Sequence, residues 1–71
     1  MYKVPDCNIW INLEQITSVE LNHDWDLMCF KLSIFMSNGK AICMCGDWII
    51  EHFMTAYTGK TYEVPEVVKC A

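Results

Sequence analysis

Arginine is absent from this chain, and its only cations, Lys3, Lys31, Lys40, Lys60 and Lys69, leave a formal charge of −4. Nucleic-acid binding draws on a basic stripe that displaces phosphate counterions, so that class of partner is not expected. Binding to a membrane surface lacks its basic amphipathic helix. No apolar run approaches the ~20 residues that a membrane span requires. Glycine is scarce and occurs singly, at Gly39, Gly46 and Gly59, which leaves no glycine-rich loop to cradle a phosphate. Repeats and low-complexity segments are missing as well. The first residues, MYKVPDCNIWINL, are interrupted by Pro5, Asp6 and Asn12 and do not read as a signal peptide. Cys7, Cys29, Cys43, Cys45 and Cys70 are odd in number and lack the spacing of a secreted disulfide scaffold. Reduced thiols in a cytoplasmic protein are the expectation.

Apolar residues are what the chain has in quantity: 54% of 71 residues, with three each of Trp, Tyr and Phe. One small domain is implied over residues 1–71. A domain of this size buries only ~60% of the surface its unfolded chain exposes. Chains below roughly 80 residues usually rely on a disulfide, a metal or a partner subunit. The balance points to a homo-oligomer.

Residues 28–58 carry the clearest pattern. MCFKLSIFM (28–36) alternates, SNGK (37–40) turns, AICMC (41–45) returns, and GDWIIEHFMTAYT (46–58) changes to helical spacing. Asn38-Gly39 is the preferred pair for a two-residue type I′ turn. That turn sets Met36 opposite Ala41, Phe35 opposite Ile42, Ile34 opposite Cys43, Ser33 opposite Met44 and Leu32 opposite Cys45. One sheet face then carries Met28, Phe30, Leu32, Ile34 and Met36 with Ala41, Cys43 and Cys45. The other carries Cys29, Lys31, Ser33, Phe35 and Ser37 with Lys40, Ile42 and Met44. Asp47 suits the helix N-cap, and Gly59 the left-handed residue that ends the helix. Ile49, Phe53, Ala56 and Tyr57 form the helical stripe, with Ile50 and Met54 beside it and Glu51, His52 and Thr55 outward.

Upstream, Ile9–Leu13 and Thr17–Asn22 alternate like short strands, joined by a tight or single helical turn over LEQI (13–16). Residues 1–8 read as an irregular lead-in because Pro5 and Asp6–Asn8 are poor ladder residues. Pro65 makes the 59–71 tail an edge strand or an extended arm. The fold class expected is α+β: a four-stranded antiparallel β-meander followed by one C-terminal helix on one sheet face. The second face then holds Phe35, Ile42 and Met44, joined by Trp10, whose parity is opposite to that of Ile9 and Ile11. Trp25, inside the polar NHDWD connection, reads as a lid or a subunit contact. Exposed contiguous apolar surface marks an interaction site. The tail folding back over it, a subunit contact and a ligand pocket are the three ways of covering it.

Chemistry-bearing constellations are few. Cys43 and Cys45 project from the same side of a strand and could share a metal, with His52 as a further ligand. Zinc needs a fuller tetrahedral set, and no second CxC or CxxC supplies it. Extended i,i+2 cysteines lie close to the ~7 Å limit for a disulfide. The plainer reading makes both thiols small buried hydrophobes opposite Leu32 and Ile34. Neither His23 nor His52 is placed beside an activated thiol as nucleophilic catalysis requires. Asp24 and Asp26 flank Trp25 as turn formers. No cofactor is called for.

INLEQITSVE (11–20), an alternating strand, SNGKAICM (37–44) and a following helix together resemble the small flagellar and swarming-motility proteins of the FlbD family. The matching residues are Asn12, Glu14, Ile16 or Thr17, Val19, Glu20 and Asn38-Gly39-Lys40, within residues 9–56. The resemblance implies a small strand–hairpin–helix fold and a motility setting, and it carries no catalytic residue across. The cysteines, the tryptophans and the Tyr62–Ala71 tail depart from that pattern. The expectation is thus a non-catalytic, self-associating interaction or regulatory module using Phe35, Ile42, Met44, Trp10 and Trp25. The competing class is a metal or redox protein using Cys43, Cys45 and His52.

Overall fold

The computed structural model describes residues 1–65. Cys70, Lys69 and the far end of the expected tail fall outside them. Strands β1 (Tyr2–Lys3) and β2 (Trp10–Ile11) form one antiparallel pair. Strands β3 (Ile16–Asp24), β4 (Cys29–Met36) and β5 (Ala41–Cys45) form a second sheet in that order, and helix α1 (Asp47–Thr58) follows. The class is α+β, with the helix last. In place of the expected four-stranded meander, the described residues form five strands, in sheets of two and three.

The division follows from turn chemistry in the first eleven residues. Pro5 and Asp6 are poor in a ladder but good at a corner. Val4 N–H donates to Ile9 O at 2.9 Å and Cys7 N–H to Val4 O at 3.2 Å, while Asp6 sits at φ 61°. Proline followed by a positive-φ residue is the signature of a type II turn. The supposed lead-in is therefore half of a hairpin, with Tyr2 opposite Ile11 and Lys3 opposite Trp10. It delivers Val4 and Ile11 to the core.

Asn12 caps the single 3-10 turn Leu13–Gln15 by accepting the Glu14 N–H at 3.1 Å. β3 then enters the sheet with one extra residue, Thr17, between the pairs Ile16–Met36 and Ser18–Phe35. Its hydroxyl donates to Phe35 O at 3.0 Å. Gln15 reaches across to the tip of the next hairpin, accepting the Ser37 N–H at 2.8 Å and the Ser37 hydroxyl at 2.6 Å.

The β4–β5 register differs by one residue from the two-residue-turn expectation. Gly39 N–H donates to Met36 O and Met36 N–H to Lys40 O, at 3.0 and 2.8 Å. Gly39 is left-handed at φ 86°, and Asn38 is not among the positive-φ residues. This is a three-residue loop with a glycine bulge, the next commonest hairpin connection. Phe35 faces Ala41, Ile34 faces Ile42, Ser33 faces Cys43, Leu32 faces Met44 and Lys31 faces Cys45. A one-residue slip moves every β5 side chain to the other face. Ile42 and Met44 thereby join Leu32 and Ile34 in the core, and Cys43 and Cys45 emerge on the open face. Burying Ile or Met is worth ~1.5–3 kcal/mol each, more than the preference between two hairpin turns. Packing settled the register.

α1 covers that face with Ile50 and Phe53, flanked by Ile49, Met54 and Tyr57. Gly46 occupies the N-cap at φ 112°, one residue ahead of the expected Asp47, which falls in the first turn where the dipole favours an acid. Gly59 ends the helix in the left-handed conformation as expected, its N–H donating to Thr55 O at 3.0 Å. The chain then turns back along the helix. Tyr62 N–H donates to Thr55 Oγ1 and Val64 N–H to Glu51 Oε2, at 3.2 and 3.0 Å. Thr55 and Glu51, expected to face outward, hold this return. Tyr62 and Val64 lie half-buried against the core.

Candidate functional site

The five residues expected to form one patch occupy several places. Met44 is 8% exposed and belongs to the core, and Ile42 packs partly buried against it. Phe35 stays on the open face, 37% exposed beside the hairpin tip. Trp10 stands on β2, 59% exposed, with its neighbour Ile11 buried. Trp25 lies in the β3–β4 turn, at the opposite end of β4 from Phe35, ~20 Å away by strand rise. The open face between them carries Ser18, Glu20 and Asn22 from β3 and Lys31 and Ser33 from β4. It is a mostly polar, small-residue face. The expectation of a greasy second side fails because its two largest β5 residues turned inward.

Exposed apolar side chains gather instead at the end of the sheet where β3 turns into β4. Asp24 builds that turn. Its Oδ1 accepts the N–H groups of Asp26 and Leu27 at 2.9 and 3.1 Å, and its Oδ2 meets Lys31 Nζ at 3.0 Å. The Leu27 hydrogen bond and then Lys31 hold the Asp24 carboxyl below the usual carboxylate range. Lys31 in turn is raised by its hydrogen bond to Asp24. With the backbone so pinned, Trp25, Leu27 and Met28 project outward. Met28 adopts φ 55°, a conformation that costs a non-glycine residue about 1 kcal/mol or more.

Beneath Trp25 lies His23, its ring centroid 4.3 Å from the indole and 4.9 Å from Phe30. His23 Nδ1 is buried without a hydrogen-bond partner. The start of α1 reaches the same end of the sheet. A shallow depression there is lined by His23, Met28, Phe30, Asp47 and Val64, and Trp48 is 54% exposed in the first helical turn. Trp25, Leu27 and Met28 thus surround one end of the sheet, while Trp48, two residues before the buried Ile50, stands on the outer side of the helix. Of these, Trp25 stands out from sequence, whereas Met28 reads as the beginning of a strand.

The thiols are also rearranged. Cys43 Sγ lies 3.6 Å from Ser33 Oγ, whereas Cys45 Sγ lies 3.0 Å from Cys29 Sγ. His52 is bound elsewhere, its Nδ1 sharing a 2.7 Å hydrogen bond with the Tyr2 hydroxyl on the helix side. Tyr2 packs edge-on against Phe53 at 5.5 Å, and burial pushes its phenol up. Cys43, Cys45 and His52 are therefore not brought together. Among the described residues no group of three or more His, Cys, Asp or Glu side chains is arranged to hold a metal. No described helix is long and apolar enough to cross a membrane.

No family model, curated protein or solved structure matches the chain.

Proposed function

We propose that this protein is a non-catalytic interaction module that associates with a second copy of itself through the Trp25, Leu27 and Met28 end of the sheet. One observation carries the reading. Among the described residues seven apolar side chains are buried, and eight large ones remain exposed. A chain this small is short of core, and a partner subunit is one of the usual remedies. A tryptophan among the exposed residues, Trp25, suits an interface anchor. A twofold contact sets the same patch against itself, so one apolar end is sufficient. About 800 Å² per partner, the usual interface size, is a modest part of the 5088 Å² surface.

The mild charge of −4 offers little to select a strongly charged partner. Cytoplasmic residence belongs to the same proposal and rests on the free thiols Cys7, Cys29, Cys43 and Cys45. The strand–hairpin–helix likeness to FlbD proteins is compatible with such a module and extends the proposal to a motility setting.

Light scattering at roughly 50 µM protein, well above a ~1 µM dissociation constant, should return a dimer. The double variant Trp25→Ser/Leu27→Ser should be a monomer with unchanged helix content. A wild-type monomer at that concentration sinks the proposal. A dimer indifferent to the double variant would move the interface to another surface, such as Trp10 or Phe35.

A further inference from the structure

Cys29 begins β4 and Cys45 ends β5. Because Lys31 faces Cys45 across the ladder, Cys29 is its diagonal neighbour two residues back on the same face. Diagonal pairs normally stand far enough apart that only long side chains meet. Here the sulfurs lie 3.0 Å apart, closer than two unbonded sulfur atoms rest in ordinary contact. The neighbouring thiol Cys43 has a hydroxyl partner, Ser33, rather than a sulfur. We propose that Cys29 and Cys45 are a dithiol site that closes to a reversible disulfide on meeting an oxidised low-molecular-weight disulfide of the glutathione type.

Exposure separates the two roles. Cys45 is exposed and Cys29 half-buried, so the incoming disulfide reaches Cys45 first. Cys45 loses its proton, and its sulfur attacks one sulfur of the small disulfide. A mixed disulfide forms, and the first small thiolate leaves and takes up that proton. Cys29 then loses its proton and attacks Cys45 Sγ. The protein S–S bond forms, and the second small thiolate leaves and is protonated. Two protein thiols are oxidised to one disulfide, and one small disulfide is reduced to two small thiols. Thiolate attack through a mixed disulfide is the general route of such exchange. The Cys45 hydrogen bond and then burial raise the Cys29 thiol, which suits a resolving thiol that keeps its proton until the second step.

The crosslink would span 16 positions of sequence and tie the start of one strand to the end of the next, restricting the unfolded chain. It stands apart from the self-association reading, since both thiols belong to one copy.

The test uses the full chain, reduced and then incubated with oxidised glutathione, with free thiols alkylated and peptides mapped by mass spectrometry. The expected product is an intramolecular Cys29–Cys45 disulfide, lighter by two hydrogens, with a melting temperature higher by ~10 °C. Cys29→Ser should stop at a stable glutathione adduct on Cys45. Cys43→Ser should close as readily as the wild type and guards against a folding defect in the first variant. A crosslink to Cys7, Cys43 or Cys70 in place of Cys29, or a persistent adduct on Cys45 of the wild type, would overturn the proposal. So would stoichiometric zinc on the reduced chain that is lost in both Cys29→Ser and Cys45→Ser.

Discussion

The two ends of the three-stranded sheet solve one geometric problem with opposite chemistry. At the β4–β5 end, Ser37, Asn38, Gly39 and Lys40 are all exposed and small or polar. Glycine supplies the left-handed residue at φ 86°, and Gln15 braces the tip through Ser37. At the β3–β4 end, Met28 takes the left-handed position at φ 55°. Asp24 supplies the bracing, and Trp25 and Leu27 face solvent. The first turn is chosen for folding. The second carries strain and uncovered apolar surface, a combination that persists where another use is made of it.

The largest effect is expected from substitutions that probe the β4–β5 register. Met44→Ala should destabilise by about 2–4 kcal/mol, because Met44 faces Leu32 under the helix. Cys43→Ala, on the open face, should change stability by less than about 0.5 kcal/mol. Denaturant melts of the two variants would exclude the three-residue loop if their order were reversed.

A smaller effect tests the strain itself, and the two ends should respond with opposite signs. Gly39→Ala places a Cβ on a left-handed residue and should lose about 1 kcal/mol. No steric neighbour stands within 4 Å of that Cβ, so the loss is conformational. Met28→Gly should gain about 0.5 kcal/mol, the relief of strain being partly offset by the freer unfolded chain. Equal losses in both would mean that Met28 is held by packing rather than strained.

The smallest effect is electrostatic. Asp24 has a folded-state pKa below its ordinary value, because Leu27 N–H and Lys31 stabilise the carboxylate. Its contribution is therefore fully present above the unfolded carboxylate range and fades as pH falls through the lowered value. Asp24→Asn should reduce the melting temperature near neutral pH, and the gap to wild type should narrow on acidification. A gap that widened at low pH would show that the carboxylate does not organise this turn.

These contrasts also separate what was legible in the chain from what was not. The helix and its glycine stop were legible because helical spacing and a left-handed C-terminal glycine are local signals. Leu32 and Ile34 were legible as core in either register, since both lie on β4, whose facing does not depend on loop length. The Val4–Ile9 turn is only half legible, because Pro5 and Asp6 fit a break in the ladder as well as the corner of a hairpin, and only the pairing of Tyr2 with Ile11 decides between them. The exposed end was not legible because Met28 shares the parity of Phe30, Leu32 and Ile34 and so continues the alternation of the following strand. The Cys29–Cys45 proximity was hidden behind the register, on which the partner of every β5 residue depends.

Local sequence alone determined that this chain makes a hairpin and then a helix, and that its middle strand has one apolar side. Turn residues, periodicity and caps act within a few positions and need no partner. Tertiary structure decided the length of one loop by a single residue, and with it which half of β5 is covered. Two hairpin turns differ by less free energy than the burial of Ile42 and Met44 contributes, so the helix that covers the sheet, rather than the turn that starts the strand, made the choice.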